Sequence, residues 1–313
     1  MNLRIIGGSS HPQFTKDICQ HLGIPETKIL SKVFSNDNRF VRIENAVRGD
    51  DVFVIQTQAP PVDAHLMELL ILIRTLRDAS AARITAILPY FPYARSDKMN
   101  QPRVCITARL IADLLATAGA DRVLTMELHS PQIQGFFGIP CDQLTGVPII
   151  VRYLKTNWDL DNYCLVAGDA GAAKMLRQYA NGLNLPVAIM DKRREGNDEE
   201  VSIKGIIGDV QGKNVLLVDD ETQTGRTLIR DAEFLLRNGH VKRVDACVVH
   251  AALGPQAANE LNDSAIGRFV TTDTIPLHDA NLRDHDVVSA TQAFAEAIKR
   301  IHEHASLQSI NEL

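Results

Sequence analysis

Residues 215–228 read VLLVDDETQTGRTL. Four aliphatic residues run into three acids, then into Thr, Gln and Gly, before apolar residues resume at Leu228-Ile229 and Phe234-Leu235-Leu236. A short valine-rich run bounded by polar residues predicts a buried strand, and the later apolar spacing predicts a helix. The stretch is therefore strand, loop, helix. Such a loop, leading from the carboxyl end of a strand into a helix N-terminus, turns backbone N–H groups and a positive dipole toward an anion. Thr224, Gly225, Arg226 and Thr227 suit that task, because hydroxyls donate to phosphate and Gly225 lets the backbone come close. Asp219 and Asp220, just upstream, would repel the same phosphate, and their natural ligands are hydroxyls. Acids for the 2- and 3-hydroxyls of a ribose and a Thr-Gly nest for its 5-phosphate describe a ribose 5-phosphate cradle. Taken alone, the same residues also read as an acidic turn with a helix cap.

Outward from this stretch, the chain matches itself. Val47–Ile55 (VRGDDVFVI) aligns with Val210–Val218 (VQGKNVLLV) at an offset of 163, and Arg83–Ala86 aligns with Arg243–Ala246 at 160. Arg4–Ser10 with Leu22–Pro25 aligns with Leu165–Gly171 and Leu183–Pro186 at 161. Near-constant offsets over three blocks indicate two copies of one α/β unit. Alternating strands and helices predict a mainly parallel sheet with helices on both faces, and ligands beyond the carboxyl ends of its strands. Opposite the acids of the second copy, the first has Gln56, Thr57 and Gln58, so the second copy carries the sugar site. The expected domains are 1–147 and 148–313, with the last helix free to pack back on the first domain.

Composition bounds the rest. With 313 residues, 45 % hydrophobic and 23 % charged, the chain is an ordinary globular one of about two domains. A net charge of −5 argues against nucleic acid as main partner. No run of about 18 apolar residues and no signal-peptide pattern occurs, which predicts a soluble cytoplasmic protein without a membrane partner. The five cysteines are scattered without a paired C-x-x-C, which is neither a disulfide framework nor a zinc site. Neither G-x-x-x-x-G-K-[ST] nor a strand-borne G-x-G-x-x-G is present, so a nucleotide would need another device.

The acid-acid and Thr-Gly-x-Thr loop resembles the phosphoribosyl-diphosphate-binding signature of the type I phosphoribosyltransferase fold. PYFPYARSDK (Pro89–Lys98), MELHSPQIQGFF (Met126–Phe137) and MDKRR (Met190–Arg194) narrow this, together with FSNDN (Phe34–Asn38) and DTIPLHD (Asp273–Asp279). In that order and spacing, over residues 3–306, they resemble the ribose-phosphate diphosphokinase family. The resemblance implies two duplicated type I phosphoribosyltransferase-like domains. It implies transfer of the diphosphoryl group of ATP to the 1-hydroxyl of ribose 5-phosphate, with AMP released and magnesium (Mg2+) required. It also implies an active site between the domains and across a subunit boundary, in a homo-oligomer of dimers assembling into a hexamer.

Site residues follow from the same resemblance. Phe34, Asn36 and Asn38 match the segment that a neighbouring subunit offers to adenine, and Arg95, Ser96 and Asp97 match the ATP-binding turn. The family usually has Glu at Asn38 and Gln at Ser96. His129 matches the histidine that contacts the magnesium-ATP phosphates, and Asp169 the second metal residue. Lys192 and Arg194 match cations of a mobile lid that closes on the transferring group. Asp219 and Asp220 would hold the ribose hydroxyls; Gln223, Thr224, Gly225, Arg226 and Thr227 the 5-phosphate. Many members have Asp at Gln223 and Gly at Arg226. Residues 98–104 match a variable regulatory loop. A second reading is a catalytically silent relative that associates with active subunits.

Overall fold

The computed structural model describes residues 1–194, 201–277 and 281–312. One unit comprises Met1–Thr145 with Thr274–Pro276 and Ala290–Glu312, and the other Gly146–Asp273 with Leu277–Ser289.

In the first unit, β1 (Leu3–Gly7), β4 (Asp51–Ile55), β5 (Arg83–Leu88), β6 (Arg122–Met126) and β7 (Cys141–Leu144) form a sheet in that order, all parallel. Strands β2 (Ile29–Val33) and β3 (Arg39–Ile43) form a separate antiparallel hairpin. All five residues of β4 are buried, as expected of a strand covered on both faces. Leu69, Leu72, Ile73 and Leu76 of α2 (Val62–Asp78), with Ile111 and Leu115 of α3 (Thr107–Ala118), share a core with Val52, Val54 and Ile84. The remaining helices, α1 (Pro12–Leu22) and α8 (Thr291–His302), meet through Phe14 and Phe294, edge to face at 5.5 Å. The start of α1 is set by Pro12 and by His11 Nδ1, which accepts the Phe14 N–H at 3.4 Å; Gly23, at φ 68°, ends it.

The second unit has seven strands in the order β10 (Val201–Ile207), β9 (Val187–Arg194), β8 (Tyr163–Ala167), β11 (Asn214–Thr222), β12 (Arg243–Ala251), β13 (Ile266–Thr272) and β14 (His285–Val288). Only β10 is antiparallel to its neighbour. Helices α4 (Val147–Asn157), α5 (Ala173–Leu183), α6 (Arg226–Asn238) and α7 (Pro255–Asn262) complete it.

Strand register makes the duplication explicit. Leu3 pairs with Asp51 and Asp51 with Arg83, just as Tyr163 pairs with Asn214 and Asn214 with Arg243. Thus β1, β4 and β5 correspond to β8, β11 and β12. This corrects one alignment: Leu3 corresponds to Tyr163, an offset of 160 across β1 and β8 where 161 was read from the sequence. The value 161 holds further on, where Ile5 bridges Glu26 and Leu165 pairs with Val187. One extra residue has therefore entered the second copy between these strands, and Gly8 corresponds to Gly168 and Ser9 to Asp169.

Candidate active site

Strand β11 is longer than its neighbour β8. Pairing with β8 stops at Ala167 opposite Val218, while pairing with β12 continues to Thr222 opposite Ala251. The acids Asp219 and Asp220 therefore lie on the strand and not in the loop, because β12 extends alongside them. Beyond Val218 the side of β11 toward β8 has no strand partner among the described residues, and the Gly168-Asp169 turn follows β8 there. This leaves a notch at the carboxyl end of the sheet. The loop proper is three residues, Gln223–Gly225.

Thr222 Oγ1 accepts the Gly225 N–H at 3.2 Å, closing the turn. Gly225 is the N-cap of α6 and sits at φ 71°, and a Cβ there would lie 2.8 Å from Leu261 Cγ. Only glycine meets both demands cheaply. Gly225 brings no capping side chain, so the first-turn amides of α6 are left for loop hydroxyls or an anion. Thr224 and Thr227 are exposed at this end. Arg226 is the first helical residue, and the positive φ falls on Gly225 instead. The Arg226 guanidinium turns to Glu260 of α7, with Nε 3.3 Å from Oε2, so its side chain lies along the outer face of the loop. Gln223 Nε2 reaches Glu221 Oε1 at 3.5 Å.

The notch is strongly acidic. Burial pushes the Asp219 carboxyl up to about 8, and the charges of Asp220 and Asp169 add to this. Asp169 Oδ1 accepts the N–H groups of Gly171 and Ala172 at 2.7 and 3.3 Å, which orients the carboxylate at the end of β8. Lys192 lies on β9, opposite Ile203 of β10, and so belongs to a hairpin stem where the sequence suggested a mobile lid. Its Nζ is 2.7 Å from Asp231 Oδ2 of α6. Burial raises the Asp231 pKa, against the lowering effect of Lys192. The Arg194 side chain and residues 195–200, the remainder of the expected lid, lie outside the described residues, as do His278 and Asp279 of the DTIPLHD block.

The other predicted residues belong to the first unit. Arg95, Ser96 and Asp97 follow β5 on one turn. Ser96 is built into the start of α3: its hydroxyl donates to the Cys105 carbonyl at 3.2 Å and its carbonyl accepts the Ala108 N–H at 3.2 Å. Asp97 Oδ1 is buried without a hydrogen-bond partner among the described residues, and Lys98 Nζ is 3.9 Å away. His129 is exposed, just beyond the end of β6 and ahead of a short 3-10 turn, Pro131–Phe136. Phe34, Asn36 and Asn38 lie on the tight turn joining β2 to β3, where the Phe34 N–H bonds the Asn38 carbonyl at 2.8 Å. Phe34 and Phe40 are 52 % and 40 % exposed and their rings are 6.1 Å apart, an apolar patch on the hairpin.

Sequence reasoning missed Asp231, the partner of Lys192. The signal was present: the offset of 163 that relates β4 to β11 carries Glu68 of α2 onto Asp231 of α6, so both copies place an acid at one helix position.

Two units of one mainly parallel design, each a sheet flanked by helices, define an α/β protein of two type I phosphoribosyltransferase-like units. A family model described as the N-terminal domain of ribose phosphate pyrophosphokinase matches residues 3–119, and one described as the phosphoribosyl synthetase-associated domain matches 202–311. The chain is 45 % identical over 311 residues to ribose-phosphate pyrophosphokinase of Caldanaerobacter subterraneus subsp. tengcongensis, covering 99 % of this chain and 98 % of that one. It is 42 % identical to ribose-phosphate pyrophosphokinase 4 of Saccharomyces cerevisiae, covering 98 % and 94 %. The crystal structure of phosphoribosylpyrophosphate synthetase from Mycobacterium smegmatis superposes with a TM-score of 0.91 at 35 % identity, covering 97 % of this chain and all of that one. The chain belongs to the ribose-phosphate pyrophosphokinase family.

Proposed function

We infer that the chain transfers the diphosphoryl group of ATP to the 1-hydroxyl of ribose 5-phosphate, giving phosphoribosyl diphosphate and AMP. The observation that carries this is the end of β11, where Asp219 and Asp220 border a notch and the Thr224–Thr227 turn follows directly. The carboxylates accept hydrogen bonds from the ribose 2- and 3-hydroxyls, and the turn's hydroxyls and first-turn amides hold the 5-phosphate. Arg226 contributes its backbone N–H, since its guanidinium is taken by Glu260. Asp97, whose buried Oδ1 accepts no hydrogen bond among the described residues, and Arg95 serve ATP, with His129 at its phosphates. The exposed Phe34 and Phe40 fit the reading that the hairpin with Asn36 and Asn38 meets adenine of a neighbouring subunit, in dimers assembling into a hexamer.

Magnesium fits the donor set of the notch. Burial raises the Asp219 pKa and the charges of Asp220 and Asp169 add to it, a repulsion that a hard cation would relieve, and Asp169 offers the oxygen that such a cation prefers. Among the described residues no three His, Cys, Asp or Glu side chains form a closed metal cage. When bound, the cation neutralises phosphate charge. Lys192 and Arg194 place further positive charge on the diphosphoryl group as its negative charge spreads. Among the described residues no helix is long and apolar enough to cross a membrane.

Incubation of purified protein with ATP, magnesium and ribose 5-phosphate is expected to release AMP only when the sugar is present. Sugar-independent release would reject the reaction, and no release would favour the silent relative. No observation favours that alternative, since Asp219, Asp220, His129, Lys192 and Arg194 are all retained.

A further inference from the structure

Lys192 and Asp231 form an ion pair at 2.7 Å with side chains only 12 % and 2 % exposed. Asp231 Oδ1 is buried and finds no hydrogen-bond partner among the described residues. Leaving such an oxygen unsatisfied costs on the order of 1–3 kcal/mol. Folding alone does not account for that arrangement.

The first unit shows the same position serving structure only. By the strand registers and helix offset, Gly8 corresponds to Gly168, Ser31 to Lys192, Gln56 to Asp219 and Glu68 to Asp231. The contact itself is duplicated: Ser31 Oγ donates to Glu68 Oε1 at 2.7 Å, as Lys192 Nζ does to Asp231. Glu68 is otherwise saturated. It accepts from the Ser9 N–H at 3.1 Å and from Gln56 Nε2 at 2.7 Å, and pairs with Arg39 at 3.0 Å. In the second unit an acid, Asp219, replaces the donor amide of Gln56, and an ammonium replaces the hydroxyl of Ser31. The slot that protein donors fill in one copy holds the Lys192 ammonium in the other. Gly168 makes room for it, because a Cβ there would lie 2.9 Å from Asp231 Oδ2 and 3.4 Å from Lys192 Nζ.

We propose that Asp231 is a positioning residue for Lys192, holding its ammonium against Gly168 at the rim of the notch so that the cation meets the transferring diphosphoryl group at a set place. This rests on the reaction inferred above. A lysine ammonium on a four-carbon stem is mobile unless anchored, and a preorganised charge stabilises a transition state without reorganisation.

The test measures kcat and KM for both substrates, with thermal unfolding, in Asp231→Asn, Gly168→Ala, Lys192→Met and the Lys192→Met/Asp231→Asn pair. Asp231→Asn should lower kcat roughly 10-fold or more while KM changes less than about 3-fold. In the Lys192→Met background the same substitution should change kcat less than about 2-fold, because its effect passes through the ammonium. Gly168→Ala, which displaces the pair but keeps both charges, should lower kcat in the same sense, and it decides the matter if Asp231→Asn does not fold. An unchanged kcat, or equal losses in both backgrounds, overturns the assignment while an active parent leaves the reaction standing. A parent that releases no sugar-dependent AMP overturns both.

Discussion

Asp51 and Arg83 face each other across β4 and β5, with Nε 2.8 Å from Oδ1 and Nη2 2.5 Å from Oδ2. The carboxylate is fully buried, and its Oδ2 also lies 2.7 Å from His302 Nδ1. Arg83 Nη2 further donates to the Ile301 carbonyl at 3.0 Å, which ties the end of α8 to the start of the sheet. In the second copy Asn214 stands at the place of Asp51, and Arg243 pairs with Asp245 instead, at 2.8 Å. The clamp on α8 is thus a feature of the first unit.

Removing one partner of such a pair leaves an uncompensated buried charge, at a cost of about 3–5 kcal/mol. Asp51→Ala is expected to lose stability by that order, read as a lower urea midpoint with α8 exchanging its amides early. A change below about 0.5 kcal/mol would refute the clamp.

Gly225→Ala meets two obstacles, a positive φ and Leu261. The backbone term alone costs roughly 1–2 kcal/mol. Ribose 5-phosphate KM should rise about 10-fold or more as the turn shifts. The second substitution Leu261→Ala should relieve the clash yet leave the φ penalty, so only partial recovery is expected. Full recovery would show that the backbone conformation is not required.

The Asp219 carboxyl is pushed up to about 8 in the folded chain from an ordinary 3.8. The folded state therefore binds more protons than the unfolded one between these values, and stability falls as pH rises across that window. Asp219→Asn lacks this loss. Without substrates, its Tm should gain on the parent by a few degrees between pH 5 and 8, while its kcat/KM falls. Parallel melting curves would contradict the buried, repelled carboxyl.

Glu68 behaves oppositely. Burial alone would raise its pKa, but hydrogen bonds from Ser9, Ser31 and Gln56 outweigh that and lower it. Its contribution is present above the unfolded value and lost as pH falls through the folded one. Glu68→Gln should cost on the order of 2 kcal/mol at pH 7, with the difference from the parent shrinking below about pH 4. A pH-independent difference would rule out the ionised network.

Lys192→Ala should lower kcat far more than it raises KM, because a cation on the transferring group acts mainly in the transition state. An effect confined to KM would remove Lys192 from the chemistry.

Much of this was legible in the linear chain. The valine-rich run before Asp219 and the apolar spacing after Gly225 identify a strand and a helix because burial imposes their periods on the residues. The duplication showed itself in blocks such as Val47–Ile55 and Val210–Val218. The length of β11 was not legible, since strand character at Asp219–Thr222 depends on β12 lying beside it. The slip from 161 to 160 also needed register, because an inserted loop residue leaves no mark in local composition.

The sequence by itself determined the two-copy α/β plan and the family resemblance, because these rest on local patterning and on residue types at short spacing. Only the tertiary structure decided that Arg226 turns to Glu260, that Lys192 is anchored on Asp231, and that Glu68 fills the equivalent slot in the first copy. These outcomes depend on side chains from different elements meeting in space, at separations of tens of residues that no periodic pattern records.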